Sequence, residues 1–287
     1  MTSVDIIIPS LNSPRIDRVL AAIENQEGIE QVGQIIVVGK DDPGLIPAAS
    51  GAHLLDSGVP VRASIARNMG IAASEADLFI FIDSDCLAEP GWLREHLAAH
   101  QAGQRVVSGG VVAAGHNYWH LTYNLTLFHE WLDANQPGPR DFLATLNLSV
   151  ERSVIDEVGG MDESVDRVED VDWTTRMRRA GIQPYFWPAA AVWHDHNRHD
   201  LGGVWRDCAL SGHHMRRLRL RHADLLQAPG LLRFPKLVLA LSPFIAAWAT
   251  ARILWHRPYF LRRFLPQIPA IYLTKIAWCW GAATGSP

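Results

Sequence analysis

The sequence predicts an α/β chain: a mostly parallel, Rossmann-like sheet flanked by helices, followed by a helical C-terminal extension. Three observations carry this. Leu78-Phe79-Ile80-Phe81-Ile82 is an unbroken apolar run of the kind a strand buried on both faces shows. Strand-like and helix-like stretches alternate from Val4 to about residue 115, the order that βαβ units impose. Beyond residue 200 the chain turns to helical stretches and its charge inverts: residues 1–200 hold 14 Lys+Arg against 28 Asp+Glu, residues 201–287 hold 12 against 2. The division is therefore placed at 1–200 and 201–287.

Taken in order, Ile6–Ile8 is a short buried strand stopped by Pro9 and followed by Ser10-Leu11-Asn12. Ile16, Val19, Leu20 and Ile23 then recur at helical spacing. Gln34–Val38 is a second strand, ending in the turn-rich Gly39-Lys40-Asp41-Asp42-Pro43-Gly44. A helix over Ser64–Ala76 leads into the Leu78–Ile82 strand, Pro90-Gly91-Trp92 opens another helix, and Val106-Val107 resumes a strand. The aromatic stretch 115–140 reads either as a surface helix with its rings turned inward or as one wall of an acceptor pocket, since aromatic faces suit sugar rings. Phe142–Val150 is a strand and Val154–Val158 a short helix ended by Gly159-Gly160. Glu169-Asp170-Val171-Asp172-Trp173 opens a helix that Gly181 closes, with carboxylates in its first turn and arginines in its last, as the helix dipole favours. Tyr185-Phe186-Trp187 is a strand before Pro188, and Ala191-Val192-Trp193 leads to His194-Asp195-His196.

Composition narrows the class. With 48% apolar residues in 287 the chain buries a sizeable core and is not disordered. The basic tail calls for an anionic counterpart: a membrane face, a nucleic acid, or the acidic body itself. Six of the 11 tryptophans lie in the last third among those basic residues, which suits a membrane interface better than duplex nucleic acid. No nucleic-acid partner is expected. The 3 cysteines, Cys86, Cys208 and Cys279, have neither zinc nor disulfide spacing, which points to a reducing compartment. Val4-Asp5-Ile6-Ile7-Ile8-Pro9 has no basic n-region and is too short for a signal peptide's apolar stretch, so a cytoplasmic location is expected.

The chemistry gathers where the Leu78–Ile82 strand ends. In extended chain Asp83 and Asp85 point the same way, at the strand edge where open α/β sheets hold ligands. Two carboxylates there suit a divalent cation that keeps sites open for phosphate oxygens. The same triplet also fits a solvated turn, or Asp85 capping the helix around Pro90.

Five fragments in order, Ile6-Ile7-Ile8-Pro9-Ser10-Leu11-Asn12, Ala66-Arg67-Asn68-Met69-Gly70, Asp83-Ser84-Asp85, Gly159-Gly160-Met161-Asp162-Glu163 and Glu169-Asp170-Val171-Asp172-Trp173, resemble the inverting family 2 glycosyltransferases of GT-A fold. The resemblance covers about Val4 to His196. It implies that Asp83 faces the donor's ribose and sugar and that Asp85 holds a Mg²⁺ or Mn²⁺ on the diphosphate. It implies that Asp170 is the catalytic base and that His194 completes the metal site, with His196 as a competitor. Pro9, Ser10, Asn12, Arg67, Asn68 and Ser84 fall on the donor side, Arg67 near the nucleobase. Where family members follow the second strand with a nucleobase-reading acid, this chain has Gly39-Lys40; Asp41 or Asp42 can serve instead. The Gln-X-X-Arg-Trp signature of polymerising synthases is absent from the sequence, so a single addition is expected, within polysaccharide biosynthesis, onto a glycan or lipid-linked acceptor.

These roles are chemically coherent. Displacement at an anomeric carbon needs charge stabilisation on the leaving diphosphate and a base aligned opposite it. A carboxylate at a helix N-terminus is expected to stay ionised, leaving Asp170 able to accept a proton. Two other classes compete. A nucleotidyltransferase would need a glycine-rich phosphate loop after the first strand, and Pro9-Ser10-Leu11-Asn12 is not one. A non-catalytic sugar- or membrane-binding module would bind nucleotide sugars without turnover.

In the tail, the basic stretch Arg206–Arg221 reads as a diphosphate clamp or a solvated amphipathic helix. The uncharged run Leu237–Ala251 falls short of the ~20 residues a spanning helix needs, and Phe264–Gly281 is interrupted by two prolines and Lys275. Helices lying in a membrane interface are expected, with a helical lid on the soluble domain as the other reading.

Overall fold

The structure, a computed structural model, describes residues 3–285. It divides into two compact units, one of residues 1–112 with 131–196, the other of 113–130 with 197–287. The junction after His196 lies near the boundary read from charge. The stretch 113–130 goes with the helical extension because Tyr123 is buried in one cluster with Val204, Cys208 and Ala277.

The first unit runs β1 (Val4–Leu11), α1 (Ile16–Glu24), β2 (Val32–Lys40), β3 (Ala52–Asp56), α2 (Ala63–Ala72), β4 (Leu78–Ile82), β5 (Cys86–Ala88), α3 (Trp92–Gln101) and β6 (Val106–Val111). After α4 (Tyr118–Leu127) of the second unit it resumes with β7 (Gly138–Pro139), β8 (Asn147–Glu151), α5 (Arg152–Val158), α6 (Glu169–Arg179) and β9 (Tyr185–His194). Among the described residues these strands form one sheet in the order β3-β2-β1-β4-β8-β6-β9-β5, with β7 on β9. The β3-β2-β1-β4 half is parallel. In the other half β8 runs antiparallel between β4 and β6, β9 is parallel to β6, and β5 is antiparallel to β9. Ile6–Ile8 and all five residues of β4 are buried, as an apolar run without alternation requires. Ile16, Val19, Leu20 and Ile23 are the buried stripe of α1.

Three strands depart from the sequence reading. β1 is not stopped by Pro9 but runs to Leu11, with Pro9 opposite Val38 on β2 and past the last residue paired with β4. The Phe142–Val150 strand begins only at Asn147; ahead of it, Leu143 N–H donates to Thr174 Oγ1 on α6 (3.2 Å) rather than to a neighbouring strand. β9 does not stop at Pro188 but continues to His194; its pairing with β6 shifts register between Gly109 and Val111, the kind of irregularity that accommodates a proline within a sheet.

Behind the sheet, Asn147 ties α3 to three strands. Its Oδ1 accepts from Trp92 Nε1–H (2.8 Å) and meets His96 Nε2 (2.9 Å), and its Nδ2 donates to the carbonyls of Ala190 (2.7 Å) and Gly110 (3.1 Å). Ser149 Oγ meets His96 Nδ1 (2.9 Å) and His100 Nε2 (2.7 Å). Burial lowers both imidazoles to about 4. The unfolded chain takes up these protons near the ordinary value while the folded chain refuses them, so stability is lost as pH falls from about 6.5 to 4, by up to about 3 kcal/mol per histidine. Urea unfolding across that window should show a steep loss in the wild type. It should be shallower in His96→Gln; equal slopes would place the titration elsewhere.

The second unit contains α4, α7 (Leu201–Arg221), α8 (Pro235–Ala240), α9 (Ser242–His256), α10 (Tyr259–Arg263) and α11 (Ile268–Thr284). Asp200 caps α7 by accepting from Gly203 N–H (2.8 Å). α7 and α11 cross at close range: a Cβ on Gly281 would run into the Ala209 carbonyl, and one on Gly212 into the Trp278 carbonyl. Lys275 is half-buried within α11, its Nζ donating to the Thr126 carbonyl (3.1 Å), and desolvation lowers its pKa. The Leu237–Ala251 run is split into α8 and α9 at Leu241, with Pro243 in the first turn of α9, where a proline costs no hydrogen bond. Among the described residues no helix is long and apolar enough to cross a membrane.

Candidate functional site

Where β4 ends, Asp83-Ser84-Asp85 is folded tightly: Cys86 N–H donates to the Asp83 carbonyl (2.9 Å), and Asp195 N–H to the Asp85 carbonyl (2.8 Å). β5 then pairs with the end of β9, Cys86 opposite His194. This pairing is what brings His194 Nε2 to 3.6 Å from Asp85 Oδ1. One ligating atom each of Asp85, Cys86 and His194 lies within 4.8 Å of the others. The next residue, Asp195, is buried and pairs with Arg15 Nε (3.0 Å) and Arg18 Nη1 (3.1 Å), which anchors the end of β9.

This donor set fits a Mg²⁺ or Mn²⁺. A carboxylate oxygen and an imidazole nitrogen suit such a cation, and two protein ligands leave positions for substrate oxygens. The Cys86 thiol is a poor third donor, because burial, then Asp85 and Asp83, push its pKa well up and keep it protonated.

Beside the aspartates opens a cleft of ≈ 220 Å³, with Pro9, Ser10 and Leu11 on β1, Val38 on β2, Ala63 and Ala66 on α2, and Asp83, Ser84 and Asp85 at its floor. The other donor-side residues lie around it in different roles. Asn12, at φ +53°, donates to Asp42 Oδ2 (3.0 Å) and accepts from Asp42 N–H (2.8 Å), pinning the loop after β2. Lys40 Nζ sits between Asp42 and Asp56, 3.2 Å from each. The Asp41 carboxylate accepts from the N–H groups of Leu45 and Ile46 (2.9 Å each), within its own loop. Asn68 clamps the 159–163 turn: its Oδ1 accepts from Met161 N–H (2.9 Å) and its Nδ2 donates to the Met161 carbonyl (3.0 Å) and Glu163 Oε1 (2.9 Å). Gly160 leaves room for this, since a Cβ there would stand 2.7 Å from Asn68 Oδ1.

Arg67 joins the two acidic motifs. Its guanidinium is buried, with Nη2 2.6 Å from Asp83 Oδ1 and Nη1 3.1 Å from Glu169 Oε1, and it acts electrostatically on Asp170. Burial alone would lower its pKa, but the three carboxylates hold it above its ordinary value. The Asp83 carboxyl is pushed up by burial and by Asp85, against the pull of Arg67.

Asp170 stands in the first turn of α6, after Val168 in the left-handed conformation (φ +61°), an unfavourable state for a β-branched residue that sets the angle at which the helix begins. Its carboxyl is raised to about 7, by burial first and then by the charge of Glu169, with Val171 N–H, Arg67 and Thr145 N–H opposing. This corrects the expectation that the helix N-terminus would keep it fully ionised. A helix terminus contributes about 0.3–1 kcal/mol, less than burial beside a second carboxylate takes away.

Sequence reasoning missed Glu169 as the partner of Arg67, and Arg15 and Arg18 as partners of Asp195. All three are pairings across the fold with no local signature. Among the described residues, the first unit thus brings Asp83, Ser84, Asp85, His194, Pro9 and Ser10 to one cleft edge, with Arg67 linking Asp83 to the Glu169-Asp170 pair.

An open, half-parallel sheet with an acidic turn and a cleft at the ends of β1 and β4 is the GT-A architecture, and solved structures share it. The chain superposes on the mannosyltransferase PcManGT from Pyrobaculum calidifontis, in complex with GDP-Man and Mn²⁺, with TM-score 0.62 at 15% identity over 95% of this chain and 85% of that one. For GalNAc-T7 with UDP, GalNAc and Mn²⁺ the TM-score is 0.54 at 15% identity, over 69% of this chain and 44% of that one. Within that architecture, residues 5–159 match the family model for Glycosyl transferase family 2, and the chain belongs to that family. It is 31% identical over 170 residues to the pre-mycofactocin glycosyltransferase of Mycobacterium tuberculosis, covering 55% of this chain and 35% of that protein. It is 28% identical over 122 residues to glycosyltransferase AglE of Haloferax volcanii, covering 42% of this chain and 40% of that protein. The chain thus spans well under half the length of these relatives.

Proposed function

We propose that this chain is a metal-dependent, inverting glycosyltransferase that moves one sugar from a nucleoside-diphosphate donor to a hydroxyl of a glycan or lipid-linked acceptor. The observation that carries the reading is the joining, through Arg67, of the Asp83-Ser84-Asp85 turn, which borders the cleft, to the Glu169-Asp170 pair. Pro9, Ser10 and Ser84 would line the nucleoside, Asp83 would receive the ribose and sugar, and Asn12, Asp41 and Asn68 would shape the donor side by holding its loops. Asp85 and His194 would hold Mg²⁺ or Mn²⁺, which when bound neutralises charge on the diphosphate. Asp170 accepts the proton of the acceptor hydroxyl as its oxygen bonds to the anomeric carbon. The bond to the diphosphate breaks on the opposite side, and the nucleoside diphosphate leaves with the electron pair, inverting the centre. A carboxyl near 7 is suited to this at neutral pH. The solved relatives carrying GDP-Man or UDP with Mn²⁺ support the donor class and the metal. The basic, tryptophan-rich second unit supports a cytoplasmic location with peripheral contact at the membrane.

A thermal-shift and turnover panel of nucleotide sugars tests this. One donor should raise the melting temperature only with Mn²⁺ or Mg²⁺ present, since a ligand bound to the native state alone stabilises it, and chelation or His194→Ala should abolish that increment. An undiminished shift in chelator would remove the metal from the scheme. Binding without turnover on any acceptor would favour a non-catalytic module instead.

A further inference from the structure

α9 is apolar on the wrong side for a helix that serves only the core. Its buried residues are Ser242, Ala246, Thr250 and Ile253, mostly small. Its large residues face outward: Phe244 is 73% exposed, Trp248 62% and Trp255 85%. With Ala251 these fall within an arc of about 60° on the helix surface, opposite the buried face. Leu237 and Leu241 before it, and Leu261 and Leu265 after it, are exposed as well. A groove of ≈ 530 Å³ between α9 and α11, lined almost wholly by apolar atoms of residues such as Ala247, Leu254, Ile268 and Leu273, adjoins the stripe.

The charges carried by α8–α11 themselves are of one sign; the acid beside them is Glu130, which acts on Arg257 and Lys275. No Asp or Glu follows Asp224 in the chain, whereas Arg233, Lys236, Arg252, Arg262 and Arg263 are all exposed. The Arg252 guanidinium lies 5.5 Å from the centre of the Trp248 ring, so that one residue offers charge where the other offers an apolar face.

We infer that α9 is the element that seats this protein on a bilayer containing anionic lipid, with Phe244, Trp248 and Trp255 entering the headgroup–acyl boundary, the arginines at the phosphates, and the α9–α11 groove taking one acyl chain. This deepens the peripheral membrane contact proposed above by naming its residues and its lipid chemistry. The occupant follows from the charge and the aromatic residues. A second copy of the chain set face to face on α9 would bring the exposed Arg252, Arg262 and Arg263 of both copies together. A nucleic acid would meet the cations but leave the aromatic stripe in water. Tryptophan beside arginine on a helix too short to span is the composition of an interfacial helix.

The test uses the full chain and vesicles of phosphatidylcholine with or without phosphatidylglycerol. The wild type should co-sediment with the anionic vesicles, weakly with the neutral ones, and less as salt rises. The Phe244→Ser/Trp248→Ser/Trp255→Ser variant should lose at least tenfold in partitioning. It should keep the donor-induced thermal shift, which separates failure of the membrane inference from failure of the transferase reading. Lipids brominated in the acyl chain should quench wild-type tryptophan fluorescence, a readout independent of any variant. Equal partitioning of wild type and triple variant, absence of quenching, or a wild-type dimer that the triple variant dissolves would overturn the inference.

Discussion

Asp170→Asn should lower turnover by about 10²–10⁴-fold, the contribution of a well-placed general base, while leaving the donor-induced thermal shift within error of wild type. The base must be deprotonated to act. Burial and the neighbouring Glu169 raise its carboxyl to about 7, so the wild-type kcat/KM should climb with pH through about 7 and flatten above it. Below that inflection each pH unit costs about tenfold, because a falling fraction of molecules carries a competent base. In Asp170→Asn the residual rate should lose the inflection altogether. The pairing of a rate loss with the loss of a pH dependence is what distinguishes a base from a residue that merely holds the helix start. A variant with wild-type turnover, or one that keeps the inflection near 7, would remove Asp170 from the reaction.

The legible part of this molecule is the part governed by local chemistry. β4 announces itself because a strand buried on both faces must be apolar throughout, and α1 because its buried stripe has helical spacing. The Asp83-Ser84-Asp85 turn is readable only together with the four other fragments in their order, since alone it fits a solvated turn as well. What the sequence hides is pairing at a distance. β5 is three residues long with no strand signature, yet its pairing with β9 is what delivers His194 to Asp85. β9 passes through Pro188 because of a register shift that only the partner strand reveals. The aromatic stretch 115–140 reads as one segment, but the structure divides it: α4 belongs to the helical unit through Tyr123, while Trp131 and β7 return to the sheet unit. The raised carboxyl of Asp170 is hidden for the same reason. The helix terminus is visible in sequence; the burial and the cation holding Glu169 beside it are not.

Arg67 is where those hidden pairings converge, and removing it should be the most damaging single change in the first unit. Its side chain is buried and lies 2.6 Å from Asp83 and 3.1 Å from Glu169, with Asp170 in its field. Arg67→Met keeps much of the volume but leaves three carboxylates facing one another without a cation, and breaking a buried ion pair in this way costs about 3–5 kcal/mol. The pH dependence identifies the cause. Asp83 and Asp170, already above their unfolded-chain values in the wild type, rise further without the guanidinium, so the folded variant binds more protons than the folded wild type. Stability then increases as pH falls through the raised values, and the deficit against wild type should shrink between about pH 8 and pH 5.5. Asp170 itself, deprived of a stabilising charge, should titrate higher still, moving the rise of the pH–rate profile toward alkaline pH. Arg67→Lys should recover part of both effects, since a single ammonium supplies the charge but not the fork that reaches two carboxylates at once. Urea unfolding at the two pH values, with the pH–rate profile beside it, measures both. A deficit that is the same at either pH would mean that Arg67 fills space between α2 and α6 rather than balancing the acids proposed for the donor and base sites.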